Sequence, residues 1–198
     1  MNLQELGKNR VVMLILVAAI IGGYVFIRES RSRMERRMEK EKPVYLTEEF
    51  ATKQREKASA SDRETAHQLL LDANTYMQSR QYREAAAAYH RAIALYPDGK
   101  VYFTYALYLF RMNKLTMMEE SLKLAEQQGY KQSQIDYQMA RLHGKMNQPY
   151  EAFQKLQSAG DTGNVSLEEN ENERSFDVIR KSIVTKQKYA EFIQQISR

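Results

Sequence analysis

The sequence contains no cysteine among its 198 residues. The chain therefore forms no disulfide and no thiolate metal site, and it has no cysteine nucleophile. This absence fits a reducing or an oxidising compartment equally well, so it indicates nothing about location. The hydrophobic fraction of 43% and the charged fraction of 28% are those of an ordinary globular chain. Composition thus predicts a folded domain without thiol chemistry.

Motifs typical of catalytic or cofactor sites are also missing. The three histidines, His67, His90 and His143, lie in separate blocks with no carboxylate at metal-ligand spacing, which predicts surface or inter-helix positions. No glycine-rich phosphate loop is present, since Gly160 and Gly163 are not followed by a lysine that opens a helix. We therefore predict that the protein is not an enzyme and binds no cofactor, no metal and no small-molecule substrate.

One long uncharged run stands out near the N-terminus. Residues 11–27, VVMLILVAAIIGGYVFI, are at the short end of what can cross a hydrocarbon core of about 30 Å as a helix. A cleaved signal peptide is the alternative, but bulky residues precede Arg28 where small ones would be expected. The run predicts a retained transmembrane helix after a short flank, residues 1–10, and so a single-pass membrane protein.

Residues 28–43 form a basic stretch that predicts a juxtamembrane helix ending at Pro43. Lysine and arginine resist translocation, so the charge bias favours a cytosolic position for the rest of the chain, with a trans side such as the periplasm left open. Because the excess charge lies here, nucleic-acid binding is not expected of the folded part. The basic residues either contact lipid headgroups or form a solvated stop-transfer helix; the candidates for headgroup contact are Arg28, Arg31, Arg33, Arg36 and Arg37.

Residues 44–62 mix a few apolar residues with many charges and predict a linker. Ser61 or Asp62 is expected to cap a helix that starts near Arg63. A folded domain is then predicted for residues 63–160.

Three blocks with a similar pattern follow at a spacing of about 33 to 34 residues. In the first, small and aromatic residues share one face of each of two helices, and a turn separates them. Its marker residues are Leu69, Ala73, Tyr76, Gln81, Tyr82, Ala85, Tyr89, Ala92 and Pro97. Small residues at these spacings let two helices approach closely, which predicts a helical hairpin.

The other two blocks repeat this pattern less regularly. The second departs from it at Met118, where a small residue is expected, and at Tyr130, where proline is expected. The third contains Tyr150, Glu151 and Ala152, which are similar to the start of the second helix in the first block. Three hairpins are about the minimum for a stable array of repeats.

Over about residues 64–160 this pattern resembles the tetratricopeptide repeat (TPR) family. The resemblance implies an all-α fold, an α-solenoid of about three hairpins. Residues 161–174 are polar and acidic and predict a loop. Residues 175–198 predict one final helix with an apolar stripe that includes Phe176, Ile179 and Ile183. That helix either caps the last hairpin or lies in the groove as an autoinhibitory ligand.

The TPR resemblance also implies a concave groove lined by the first helix of each hairpin. The lining residues carried over in this way are Leu70, Asn74, Met77, Phe103, Leu107, Phe110, Arg111, Tyr137, Arg141 and Lys145. An apolar groove with a basic edge suits an amphipathic helix or an extended apolar segment of a partner. The alternative is that Phe103, Leu107 and Phe110 are core residues. Only Asn74 matches the subclass that grips chaperone C-termini.

These features together predict a membrane-anchored TPR adaptor or scaffold that binds a protein or peptide. One version has the layout of the outer-membrane receptor of the mitochondrial translocase, which would bind amphipathic targeting helices. The other alternative is a structural subunit that is permanently buried in a membrane complex.

Overall fold

Helix-forming sequences separated by short turns give this chain its architecture. The computed structural model describes residues 43–161 and 173–196, and all regular structure within those ranges is helical. This confirms the all-α prediction for the described residues. Nine α-helices lie there: α1 (Glu48–Lys57), α2 (Ala60–Gln78), α3 (Tyr82–Leu95), α4 (Gly99–Arg111), α5 (Leu115–Gln127), α6 (Gln132–Lys145), α7 (Pro149–Asp161), α8 (Asp177–Lys181) and α9 (Lys186–Ile196).

Six of these helices pair into three consecutive hairpins, α2 with α3, α4 with α5 and α6 with α7. Each hairpin turns at a residue in the left-handed region, with φ of 58° at Arg80, 57° at Asn113 and 59° at Asn147. In the first turn the N–H of Arg80 donates to the Met77 carbonyl, and the next N–H donates to the Tyr76 carbonyl, 3.2 and 2.8 Å away. This pattern satisfies the last carbonyls of the helix. The hairpins therefore share one turn geometry.

Small side chains allow the close packing inside the first hairpin. Ala73, Ala85 and Ala92 are fully buried, and Tyr89 fills the space between the helices with 1% of its surface exposed. Met118, which departs from the small-residue pattern in the second block, is also fully buried. The second hairpin therefore accommodates the larger side chain within the same two-helix arrangement.

The segment before the first hairpin differs from the expected linker of residues 44–62. A short 3-10 helix, Val44–Leu46, and α1 pack on the hairpins, and Leu46 and Ala51 are fully buried. The Tyr102 hydroxyl donates to the carbonyl of Tyr45 at 2.9 Å. Burial of apolar side chains against neighbouring helices is favourable and fixes the position of the segment that carries them. Residues 44–57 therefore belong to the folded domain.

The first long helix also begins earlier than expected. Ser59, rather than Ser61 or Asp62, is the N-cap of α2. Its hydroxyl accepts from the Asp62 N–H at 3.1 Å, and the Asp62 carboxylate accepts from the Ser59 N–H at 2.8 Å. These reciprocal bonds form a capping box, which satisfies two backbone donors at the helix start.

The C-terminal part is broken where a single helix is expected. A 3-10 turn, Arg174–Phe176, leads into α8, and residues 182–185 separate α8 from α9. Ile183 is 99% exposed in this break instead of lying on an apolar stripe. The Thr185 hydroxyl donates to the Ile179 carbonyl at 2.9 Å, and the β-branched run before it has low helix propensity. Phe176 is nonetheless fully buried with residues of α6 and α7.

The predicted flank (residues 1–10), the predicted membrane span (residues 11–27) and the basic stretch up to residue 42 lie outside the described residues. The same holds for residues 162–172 of the acidic loop. Among the helices that the structure describes, none combines the length and the apolar character needed to cross a bilayer. The longest, α2, carries Asp62, Arg63, Glu64 and Asp72. This finding corrects the prediction of a single-pass membrane protein with its remaining chain on the cytosolic or the trans side.

Candidate partner-binding site

Three of the six apolar residues predicted for the groove lie inside the fold. Leu70, Met77 and Phe103 are 2%, 7% and 8% exposed. The Phe103 ring stacks on Tyr130 with centroids 4.3 Å apart and planes 23° apart. These side chains pack against neighbouring helices, so the surface presents little of them to a partner, and Phe103 fits the core alternative.

The polar residues of the predicted groove are on the surface instead. Asn74 and Arg111 are exposed, and Leu107 is half-buried. The amide oxygen of Asn74 accepts a hydrogen bond from the Tyr89 hydroxyl at 3.1 Å. Burial raises the pKa of Tyr89 to about 12, and the charge of Arg111 opposes that increase. Asn74 is therefore tied to the buried core of the first hairpin through Tyr89.

The structure brings three of the predicted residues together around one aromatic ring. The Arg141 guanidinium lies 4.5 Å from the centroid of the half-buried Phe110 ring, and the Lys145 ammonium lies 4.4 Å from it. Both distances are within the range of cation–π attraction. The exposed Arg111 follows Phe110 at the C-terminal end of α4 and lies outside these ring contacts. We call Phe110, Arg111, Arg141 and Lys145 the basic–aromatic site.

Helix ends position this site. Phe110 and Arg111 are in the last turn of α4, and Lys145 is the last residue of α6. The Lys145 ammonium donates to the Phe110 carbonyl at 3.2 Å. This hydrogen bond links the C-terminal ends of α4 and α6, the first helices of the second and third hairpins. Cations at helix C-termini also interact favourably with the helix dipole. The site is thus a product of adjacent hairpins rather than of one.

A residue that sequence reasoning missed holds Arg141 in place. The Arg141 Nε donates to the Glu173 carboxylate at 2.7 Å, and its Nη1 donates to the side-chain oxygen of Gln138 at 2.8 Å. Burial alone would raise the pKa of Glu173, but hydrogen bonds from the Ser175 N–H and hydroxyl, together with Arg141, lower it. Glu173 was assigned to the acidic loop because nothing in the local sequence marks it as a partner of Arg141.

The turn that carries Glu173 lies directly on α6. A Cβ atom on Gly144 would overlap the Ser175 carbonyl oxygen, so only glycine permits this approach. Phe176 meets Tyr137, also a predicted groove residue, edge to face with centroids 5.8 Å apart. The chain's own C-terminal segment therefore covers the Tyr137 part of the predicted groove.

The histidines lie between helices rather than in a cluster. His67 Nε2 is 3.0 Å from the Asp98 carboxylate, His90 Nε2 is 3.1 Å from the Tyr105 hydroxyl, and His143 Nδ1 is 2.7 Å from the Gln148 side-chain oxygen. Within residues 43–161 and 173–196, no three His, Asp or Glu side chains are grouped so that they could hold a metal ion.

In its described residues, the chain is an all-helical protein built on stacked hairpins with a basic–aromatic surface. No family model matches the chain, and the searches of curated proteins and of solved structures returned no significant match.

Proposed function

We propose that this protein is a TPR-like interaction module, an adaptor or scaffold that recruits a partner protein through the face formed by its first helices. The observation that carries this proposal is the basic–aromatic site, in which two cations approach the half-buried ring of Phe110. Rings and guanidinium groups that are partly open to solvent are the side chains that dominate binding at protein interfaces.

The arrangement of the site also supports recognition rather than stability alone. Arg141 is held by Glu173 and Gln138, so little conformational entropy is lost when a ligand contacts it. Lys145 and Arg111 remain exposed at its edge. A fixed centre with adaptable charged neighbours can orient a partner and select it by charge.

Crosslinking of the full-length protein tests this proposal. A photoreactive residue replaces Arg111, and a control replaces Arg91, an exposed arginine on α3. We expect a protein product from position 111 that is absent from position 91 and that disappears when Lys145→Gln is added. Equal products at both positions, or none at either, would contradict the proposal.

A structural subunit is the second candidate, and one surface favours it. Met146 and Tyr150 are 40% and 50% exposed, and Tyr150 borders a cleft between α7 and α9 that Phe153, Lys188 and Phe192 also line. Exposed apolar side chains beside a cleft of mixed polarity, with Gln154, Gln157 and Glu191 also in its lining, can be covered by a neighbouring subunit. A crosslinker at Tyr150 that captures a partner while position 111 captures none would favour this second function.

A further inference from the structure

We propose that the basic–aromatic site binds an acidic segment of the partner, with carboxylates on Lys145 and Arg111. This inference rests on the proposed function and names the chemical class of its ligand. It concerns an internal segment of the partner and requires no free C-terminal carboxylate.

Charge is the first argument. Of the three cations at the site, Arg141 is paired with Glu173 at 2.7 Å. Among the described residues, no carboxylate lies within ion-pairing distance of Lys145 or Arg111. The site therefore retains two positive charges without an acidic partner in that part of the chain. A segment with two or more carboxylates complements it.

Donor geometry is the second argument. Lys145 uses one of its N–H groups on the Phe110 carbonyl, which leaves two to donate. Arg111 presents a planar fork that matches a carboxylate. Hydrogen bonds between ionised partners are about twice as strong as neutral ones. Two such residues, at the C-terminal ends of two neighbouring helices, can each hold a carboxylate of the same segment.

The same chemistry disfavours a nucleic acid. Proteins that track a phosphate backbone usually neutralise several phosphates, roughly 6–10 in a typical complex. This site offers few cations, and the Glu173 carboxylate lies among them at 20% side-chain exposure. A short acidic peptide carries fewer charges than such a backbone, so the two cations that no described carboxylate pairs are enough to complement it.

Peptide binding to the full-length protein tests the ligand class. The probe is a fluorescein-labelled peptide with an amidated C-terminus that alternates glutamate pairs with phenylalanine. Its matched control has glutamine in place of every glutamate. We expect the acidic peptide to bind at least tenfold more tightly than the glutamine peptide, with an affinity that falls as salt is added.

Substitutions then locate the site. Lys145→Gln and Arg111→Gln are each expected to weaken binding of the acidic peptide about fivefold, and the double variant more, while Arg91→Gln leaves it unchanged. Thermal unfolding of each variant is measured in parallel. If Lys145→Gln lowers the melting temperature but leaves peptide affinity unchanged, its contact with the Phe110 carbonyl is structural and the inference is overturned.

Other outcomes separate this inference from the proposed function. Equal binding of the acidic and glutamine peptides, or tighter binding of a single-stranded oligonucleotide, overturns the acidic ligand. If a partner is crosslinked at position 111 but the acidic peptide does not bind, the interaction module stands and the ligand class fails. If neither is observed, both fail.

Discussion

At the two ends of the described domain, different kinds of contact hold the flanking segments against similar hairpins. At the N-terminal end, Tyr45 and His90 both meet the Tyr105 hydroxyl, at 3.2 and 3.1 Å, and the rings pack in an aromatic cluster. At the C-terminal end, backbone lies against backbone at Gly144, and charged pairs hold the helices together. The first end is joined by side chains that can adjust, whereas the second depends on close fit. Substitutions should therefore have sharper effects at the second.

The largest effect is expected at Gly144. Gly144→Ala places a methyl group where the Ser175 carbonyl lies, and overpacking against backbone should lower the free energy of unfolding by about 3 kcal/mol. Hydrogen exchange should rise first in the segment that carries Phe176. Met146→Ala, at a residue 40% exposed, is the control and should change stability by less than about 0.5 kcal/mol. Unchanged exchange in this segment would refute the close-fit interpretation.

The buried ion pair of the third hairpin comes next. Asp136 is 3% exposed and accepts from Lys155 and Ser158, each at 2.7 Å, where the first hairpin has Leu69. Lys155→Met leaves the carboxylate without its cation and should cost roughly 2 kcal/mol, discounted because Lys155 is 40% exposed.

Urea denaturation measures this loss. The double variant Asp136→Leu with Lys155→Met should recover most of it, because well-packed apolar groups often replace a buried pair without penalty. A double variant no more stable than Lys155→Met would contradict this account, because removal of the unpaired carboxylate would then bring no gain.

At the N-terminal end, Tyr105→Phe should have a smaller effect. The hydroxyl links His90 to Tyr45, and its removal should lower stability by about 1.5 kcal/mol while the ring contacts remain. Tyr82→Phe, at a residue 41% exposed, is the matched control and should be nearly neutral. If the two substitutions change the melting temperature equally, the hydrogen bonds of the Tyr105 hydroxyl do not stabilise the N-terminal end.

A substitution in the first hairpin turn should stabilise the protein. Arg80 has a φ of 58°, a conformation that costs most side chains about 1 kcal/mol and glycine very little. Arg80→Gly should therefore raise the free energy of unfolding by roughly 0.5–1 kcal/mol. Asn113→Gly should gain less, because asparagine tolerates this conformation. The same chemical denaturation experiment ranks the two variants, and the reverse order would contradict the turn analysis.

Acidification should loosen the two ends at different pH values. Burial, with the charge of Lys114, lowers the pKa of His90 below its ordinary 6.5, so the stability contributed by neutral His90 is lost as pH falls below about 6.5. The pKa of Glu173 lies below its ordinary 4.5, so its contribution is lost only as pH falls below about 4.5.

Hydrogen exchange at each pH, located by mass spectrometry and corrected for the intrinsic exchange rate at that pH, distinguishes the two ends. Exchange in residues 44–57 should rise before exchange in residues 173–181. His90→Gln should remove the first change and leave the second. A simultaneous rise at both ends would contradict the assignment of separate titrating groups.

Much of the helical pattern was predictable from the sequence, because small residues recur in register and turns separate them. The positions near Gln81 and the buried set of Ala73, Ala85 and Ala92 follow from local spacing alone. The packed segment before the first hairpin was not predictable, since Val44, Tyr45 and Leu46 form only a short apolar run in a charged stretch. Their burial depends on a packing site formed by helices distant in sequence, and the local sequence pattern does not predict such a site.

The site was predictable only in part. Phe110, Arg141 and Lys145 were placed on one face and do meet. Leu70 and Met77 were placed on that face too, but the stacking of the next hairpin determines how much of each first helix stays exposed. The contact between Arg141 and Glu173 joins residues 32 positions apart across the acidic segment. Neither the burial of Leu70 and Met77 nor the contact between Arg141 and Glu173 can be predicted from the residue spacing within one repeat.

The docking of Tyr45 also constrains the order in which the chain can fold during synthesis. Its carbonyl and hydroxyl meet Tyr102 and Tyr105, 57 and 60 positions later in the chain. This segment leaves the ribosome before the second hairpin has been synthesised. Its contacts with α4 can therefore form only after α4 has emerged, and until then Tyr45 is in contact with solvent. The first part of the domain to be made is therefore among the last to reach its native contacts.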